Sequence, residues 1–367
     1  GDKELRVICF NKQMQQALFT HLRKNLSDAS VVDLLDFEGY SYGRVMNKQF
    51  LAAGVVNASH LHRRDSDVKI DIDNFGYPSD VENKYLGKTI EILQENRIQG
   101  IDTFDKEQCV YMVGSGYSGN SDWKVDFGIF LEEDKDLIPE VTGLFGYDEE
   151  LSNEYMNEIL TGNVKVEHKE IFLPERNHPN PLCGNLSMYK IFRYLPCSTI
   201  CNTIGSDNLI RGFLKRLHAP IVYHDKFVYH EFTPDRDNSN MTYLKSYWPR
   251  VINKLIYYKL IETLIYDYSR LKVPRLIRIE DIDFKHLIHM DAFSFGLTID
   301  TVKEALTAFS DIMNRAQNTK LAELGKYIGS TAFYEETCRN IYYGMKNHEK
   351  LLNNWEEIMS ICSNYKL

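Results

Sequence analysis

The stretch HLHRRDSDVKIDIDN, His60 to Asn74, sets Asp65 and Asp67 one residue apart behind two arginines and follows them with Asp71 and Asp73. Like charges this close repel unless water, a cation or an ordered partner offsets them. A hard divalent cation suits the task. Mg2+ and Mn2+ take oxygen ligands and commonly bridge substrate phosphates while using only one or two protein carboxylates. Two carboxylates one residue apart point to opposite faces of a regular strand, so Asp65 and Asp67 converge on one ion only where the strand ends and turns. Asp71 and Asp73 read as solvated loop acids.

Upstream, GYSYGRVMNKQFLAAGVV places Gly43, Arg44 and Asn47 at the start of a helix that leads into the acidic strand. Free N–H groups, the helix dipole and a guanidinium fork make such a start an anion site, although Arg44 reads equally well as a solvated charge. Arg236, six residues past His230, suits a phosphate clamp or a surface salt bridge. VGSGYSGN contains Gly114, Gly116 and Gly119 in G-x-G-x-x-G spacing, but a dinucleotide fold needs a helix directly after it. SDWKVDFGIF alternates like a strand instead, so the glycines read as a loop beside a pocket. Cys183, Cys197 and Cys201 offer only a C-x3-C pair, which lacks the paired spacing of a zinc site.

These groups need elements to hold them. LRVICF, SVVDLLDF and ASHLHRRDSD read as strands, with helices over KQMQQALFTHLRKNL and GRVMNKQFLAAGVV between them. Strand, helix, strand, helix, strand at this spacing predicts a parallel sheet with helical crossovers, whose ligands lie beyond the carboxyl ends of the strands. Asn11, Asp36 and Asp65 fall at those ends, where one pocket gathers them. WKVDFGIFLEE reads as a hairpin or edge strand, DEELSNEYMNEILTG as a helix, and CGNLSMYKIFRYLP as a turn opening a helix. A further helix and one or two strands span GSDNLIRGFLKRLHAPIVYHDKFVYH. From Thr242 onward, helices are expected over Tyr243–Leu271, Thr301–Arg315, Lys320–Tyr327 and Phe333–Leu367.

Composition narrows the partners. With 367 residues, 43% of them hydrophobic, the chain can bury one large domain and an appended piece. A formal net charge of −9 and the lack of a strongly basic stretch argue against a nucleic-acid polymer. No apolar run reads as a bilayer span, and the first residues turn charged too early for a signal peptide, so a cytoplasmic location is expected. Seven cysteines, an odd number, fit reduced thiols better than a disulfide framework.

The order strand, helix, strand, G-R-x-x-N helix, strand, RDSD resembles the nucleotide-binding half of GT-A fold glycosyltransferases, whose D-x-D holds a divalent metal on the diphosphate of a nucleotide sugar. CGNLSMYKIFRYLP followed by IGSDNLIRGFLKRLHAPIVYHDKFVYH resembles the acceptor half of that fold. The resemblance covers residues 5 to 236. It implies an α/β fold with a GT-A type, mixed but mainly parallel sheet flanked by helices, to which the helical pattern from Thr242 onward adds a C-terminal helical subdomain. The catalytic domain would span 1–241, with a donor half over about 1–100 and an acceptor half over about 101–241. The helical subdomain would span 242–367 and offer a surface for self-association.

By the same resemblance, Asp67 ligates Mn2+ or Mg2+, Asp65 shares the metal or holds the ribose, and His230 completes the protein ligands. His224, six residues earlier, is the other candidate imidazole. Asp207 matches the acidic residue that faces the acceptor, and it suits equally the N-cap of NLIRGFLKRL. GSDN replaces the more familiar Glu-Asp pair there. Arg44 and Asn47 would support the diphosphate, Asn11 and Asp36 the base and ribose. The expected activity is sugar transfer from a nucleotide sugar to a small-molecule or glycan acceptor. A metal-dependent nucleotidyltransferase is the first rival, although FNKQMQQ lacks the glycine-rich basic loop such enzymes place after the first strand. A non-catalytic binding module is the second.

Overall fold

The computed structural model describes residues 9–36, 41–95, 104–119, 126–146, 149–161, 171–172, 182, 184–205, 209–230, 240–269, 278–287, 293–316 and 319–366. Two helices open it, α1 (Lys12–Asn25) and α2 (Tyr42–Val55). Strands β1 (His60–Arg64) and β2 (Val68–Ile70) follow, then helices α3 (Ile72–Phe75), α4 (Pro78–Tyr85) and α5 (Ile90–Glu95). Strands β3 (Met112–Gly114) and β4 (Tyr117–Gly119) precede α6 (Gly128–Glu133), α7 (Ile138–Leu144) and α8 (Glu149–Thr161). The sheets are completed by β5 (Ile171–Phe172), β6 (Asn185–Tyr189), β7 (Ile221–His224) and β8 (Val228–His230), with α9 (Leu209–Arg216) before β7. The chain then turns wholly helical: α10 (Met241–Ser269), α11 (Phe284–Leu287), α12 (Phe295–Asn314), α13 (Lys320–Ile328) and α14 (Thr331–Asn364).

The fold is mixed α/β with a C-terminal helical region, as expected at that level. The sheet differs from the expected one. A five-stranded sheet runs β1-β6-β3-β7-β5 and a three-stranded sheet β2-β8-β4. In the larger sheet only β3 and β7 pair in parallel; β1–β6, β3–β6 and β5–β7 are antiparallel. The described pairings are therefore mostly antiparallel, which corrects the mainly parallel expectation. LRVICF, apart from Cys9 and Phe10, lies outside the described residues.

Three segments took a different form from the expected one, each for a local reason. SVVDLLDF is not a strand: Ala29–Leu34 is a 3-10 helix started by Asp28, whose carboxylate accepts from Ser30 N at 3.0 Å. Val31, Val32 and Leu35 bury one side of that turn, so tertiary burial overrides the β preference of valine. Asp36 consequently follows a helical turn and not a strand end. GIFLEE, expected to extend a strand, forms α6. CGNLSMYKIFRYLP yields the strand β6 and a 3-10 turn over Ile191–Arg193 in place of a helix. Residues 185–188 of β6 are buried on both faces between β1 and β3, which erases the alternation a strand normally shows.

The C-terminal helices share one hydrophobic core with α1, α2 and the larger sheet. Gly54 of α2 permits this, because a Cβ there would sit 2.8 Å from Met359 Cε of α14. Trp355 of α14 is fully buried, and its indole donates to Phe192 O at 3.0 Å. Among the described residues no helix is long and apolar enough to cross a membrane.

Candidate metal and substrate site

The strand β1 ends at Arg64, and the chain turns at once. Asp65 N donates to Gly184 O at 3.3 Å, and Val68 N donates back to Asp65 O at 3.4 Å. The end-and-turn geometry that an Asp65/Asp67 pair requires is present. β2 then pairs antiparallel with β8 so that Val68 lies opposite His230, which brings the preceding Asp67 beside the imidazole. His230 Nε2 is 3.3 Å from Asp67 Oδ2, although 163 positions separate the two in sequence. His230 is 6% exposed and Tyr117 of β4 stacks on it, ring centroids 4.8 Å apart and 9° from parallel. The ring is thus held in one plane from both sides of the small sheet.

Asp65 occupies the same wall. Its Oδ1 meets Arg63 Nη2 at 2.8 Å, and Arg63 is buried. Gly184 N donates to Tyr117 Oη at 3.0 Å. A Cβ on Gly184 would lie 2.1 Å from Tyr117 Oη and 2.4 Å from Asp65 Oδ2, so only glycine lets the turn close over these side chains.

Two cis ligands at about 2.1 Å from a divalent ion stand about 3 Å apart. The Asp67–His230 separation of 3.3 Å matches that span, and this pair fits an ion. Asp65 does not face the same point freely, because Arg63 neutralises it. Among the described residues no group of three His, Cys, Asp or Glu side chains is arranged around one ion. An ion at this pair would have two protein ligands, with its other positions open to oxygens from outside the protein, a pattern common for Mg2+ on phosphates.

On α4 stands an acid that composition and spacing did not expose. Glu82 is fully buried; Arg64 Nη2 donates to both its oxygens at 2.8 and 2.7 Å, and His62 Nδ1 donates at 2.9 Å. His224 Nε2 is 3.9 Å from Glu82, beyond hydrogen-bond range, and acts on it through space. Burial opposes ionisation of Glu82, but His224, His62 and Arg64 outweigh it and hold the carboxyl well below the usual range. His224 is fully buried and its Nδ1 accepts from Lys226 N at 3.1 Å. Its second nitrogen belongs to the Glu82 cluster, so the imidazole beside Asp67 is His230 and not His224. Ser187 Oγ also meets His62 Nδ1, at 2.6 Å. A hydrolytic triad needs serine and acid on opposite nitrogens of the ring, and here both sit on Nδ1. Pro78, Glu82 and Tyr85 are the buried residues of α4, a face that burial picks out and residue type does not.

The other expected residues have local tasks. Asn11 caps α1, accepting from Met14 N at 3.0 Å. Asp36 pairs with Arg23 of α1 at 2.9 Å. Asn47 is a clasp: its amide donates to Cys197 O and accepts from Cys197 N, both at 2.8 Å. Both ends of that side chain are engaged by the main chain of Cys197. Arg44 is buried and lines a cleft with residues of α14 that neither Asp65, Asp67 nor His230 lines. Asp207, Arg236 and Cys183 lie outside the described residues. The glycines of VGSGYSGN shape β3 and β4: a Cβ on Gly114 would meet Asn185 O at 2.6 Å, and Gly119 has φ +97°.

The fold and site define a mixed α/β protein with a helical C-terminal region and a carboxylate–imidazole pair seated on a small second sheet. Residues 4–364 match the "Family of unknown function (DUF6271)", and the chain belongs to that family. No curated protein matches the chain. No solved structure matches it either.

Proposed function

We propose that this protein is a metal-dependent glycosyltransferase of the GT-A kind, moving a sugar from a nucleotide sugar to an acceptor hydroxyl or amine. The observation that carries the reading is the meeting of Asp67 and His230 at 3.3 Å, at a turn that follows a strand. A bound Mn2+ or Mg2+ would stabilise the charge that grows on the departing diphosphate. Asp67 and His230 hold the ion, and Tyr117 keeps the imidazole ring in the plane that presents Nε2. Asp65, fixed by Arg63, would accept a hydrogen bond from a ribose hydroxyl. Gly184 lets the turn close over Tyr117 and Asp65, which keeps both side chains at the site. Asp207 remains the proposed acceptor-side acid.

The test is a thermal-shift screen of nucleotide sugars with and without Mn2+, since a ligand that favours the native state raises Tm. At least one nucleotide sugar stabilises the protein only when Mn2+ is present, and Asp67→Ala and His230→Ala both lose that shift. Product analysis separates the rival: free nucleoside diphosphate accompanies sugar transfer, and pyrophosphate accompanies nucleotidyl transfer. A metal-dependent shift that persists in both variants removes the reading.

A further inference from the structure

The first turn of α2, the segment 199–202 and one side of α14 surround a cleft of about 400 Å³, a size suited to a small molecule. Its wall includes Arg44, Thr199, Glu336, Arg339, Tyr343 and Asn347. Arg44 is only 7% exposed and stands in the first turn of α2, where the amide dipoles add positive potential. Arg339 makes no ion pair or hydrogen bond among the described residues, even with Glu336 three positions earlier on the same helix. Thr199 supplies the independent sign of a ligand. It is 2% exposed, and its hydroxyl has no hydrogen-bond partner, an arrangement that folded proteins rarely leave without a purpose.

We propose that this cleft binds a small organic phosphate, with the phosphate group seated against Arg44, Arg339 and the Thr199 hydroxyl. Arg339 supplies a positive charge with no ion pair among the described residues, and the forked donors of a guanidinium match phosphate oxygens. A tetrahedral phosphate presents an oxygen to each of Arg44, Arg339 and the Thr199 hydroxyl at once, whereas a carboxylate has only two oxygens to share among the three. The Thr199 hydroxyl donates to a phosphate oxygen. Glu336, on the same wall, accepts hydrogen bonds from hydroxyl groups on the organic part, and the exposed Tyr343 offers a ring face to its carbons. The proposal goes beyond the transfer reaction above and stands without it, because none of its residues belongs to the Asp67–His230 site.

Calorimetry on the full chain in EDTA, where no divalent ion can hold the anion elsewhere, tests it with inorganic phosphate, glucose 6-phosphate and glucose. Both phosphates bind and glucose does not. Arg339→Gln, an exposed change that leaves the fold intact, weakens both by about tenfold, the loss of one charged hydrogen-bonding partner. Thr199→Val weakens phosphate binding but does not lower Tm of the ligand-free protein, because its hydroxyl makes no bond there. Asp67→Ala binds both phosphates like the wild type. Three results overturn the proposal: no phosphate binding by the wild type at millimolar concentration, equal affinity in Arg339→Gln, or loss of binding in Asp67→Ala.

Discussion

At the residue scale the sharpest distinction is between two histidines six positions apart. His230 sits beside Asp67 at the edge of the small sheet, whereas His224 is turned into the Glu82 cluster. His224→Ala therefore lowers stability yet keeps any Mn2+-dependent thermal shift, while His230→Ala loses that shift; parallel melts of the two variants with and without Mn2+ check this. Glu82 itself carries a buried charge whose removal strands Arg64 and His62 without their acceptor. Glu82→Gln costs about 3 kcal/mol, read from the urea midpoint, because breaking one side of a buried charge cluster leaves the other uncompensated. The folded carboxyl titrates below its ordinary value of 4.5, so its contribution is complete above that pH and is lost as pH falls below it.

At the element scale the entry of α2 is held by two devices against the segment 197–198. Ser41 caps the helix, accepting from Arg44 N at 3.4 Å. Gly43 follows, where an added Cβ would meet Ser198 O at 1.8 Å. One turn later, Asn47 clasps Cys197 through both ends of its amide. Gly43→Ala must push the segment away from the helix and costs about 2 kcal/mol. Asn47→Ala leaves a buried N–H and C=O without partners and costs about 1–3 kcal/mol. Since both changes loosen the same contact, the double variant falls short of the sum of the singles; chemical denaturation of all three measures the coupling.

At the scale of the whole molecule, α14 ties the ends of the chain together. It packs Trp355 beneath Phe50 of α2 and Phe192, and buries His348 against Tyr257 of α10. Trp355→Ala costs about 3–5 kcal/mol and lowers the melting of sheet and helices together, because they share one core. Far-UV and near-UV melts that remain superimposed check this. His348 is neutral in the fold: Nδ1 accepts from Tyr257 Oη at 2.9 Å, Nε2 faces Pro196 O at 3.3 Å, and burial pushes its pKa down to about 4. The unfolded chain takes up this proton first, below about 6.5, so stability is full above that pH and declines between 6.5 and 4. His224, also lowered by burial, adds to the same decline. Replacing His348 with asparagine makes the fall in Tm over that interval shallower.

What the sequence determined by itself were the elements whose signals are local. Apolar spacing marked α1, α2 and the four long helices of the tail, and the acidic run after HLHRR marked a strand that ends in a turn. It also brought forward Asp67, to which the family resemblance added His230. Only the tertiary structure decided strand direction, because pairing depends on which strand lies alongside and not on the residues of one strand alone. β6 was illegible for that reason, being buried on both faces between two neighbours. Glu82 was hidden likewise: a lone acid in a short helix looks solvated until Arg64, His62 and His224 close around it. Arg44 was legible as a cation at a helix start, but packing of α2 against α14 decided which cleft it lines, since burial partners are chosen by the whole core.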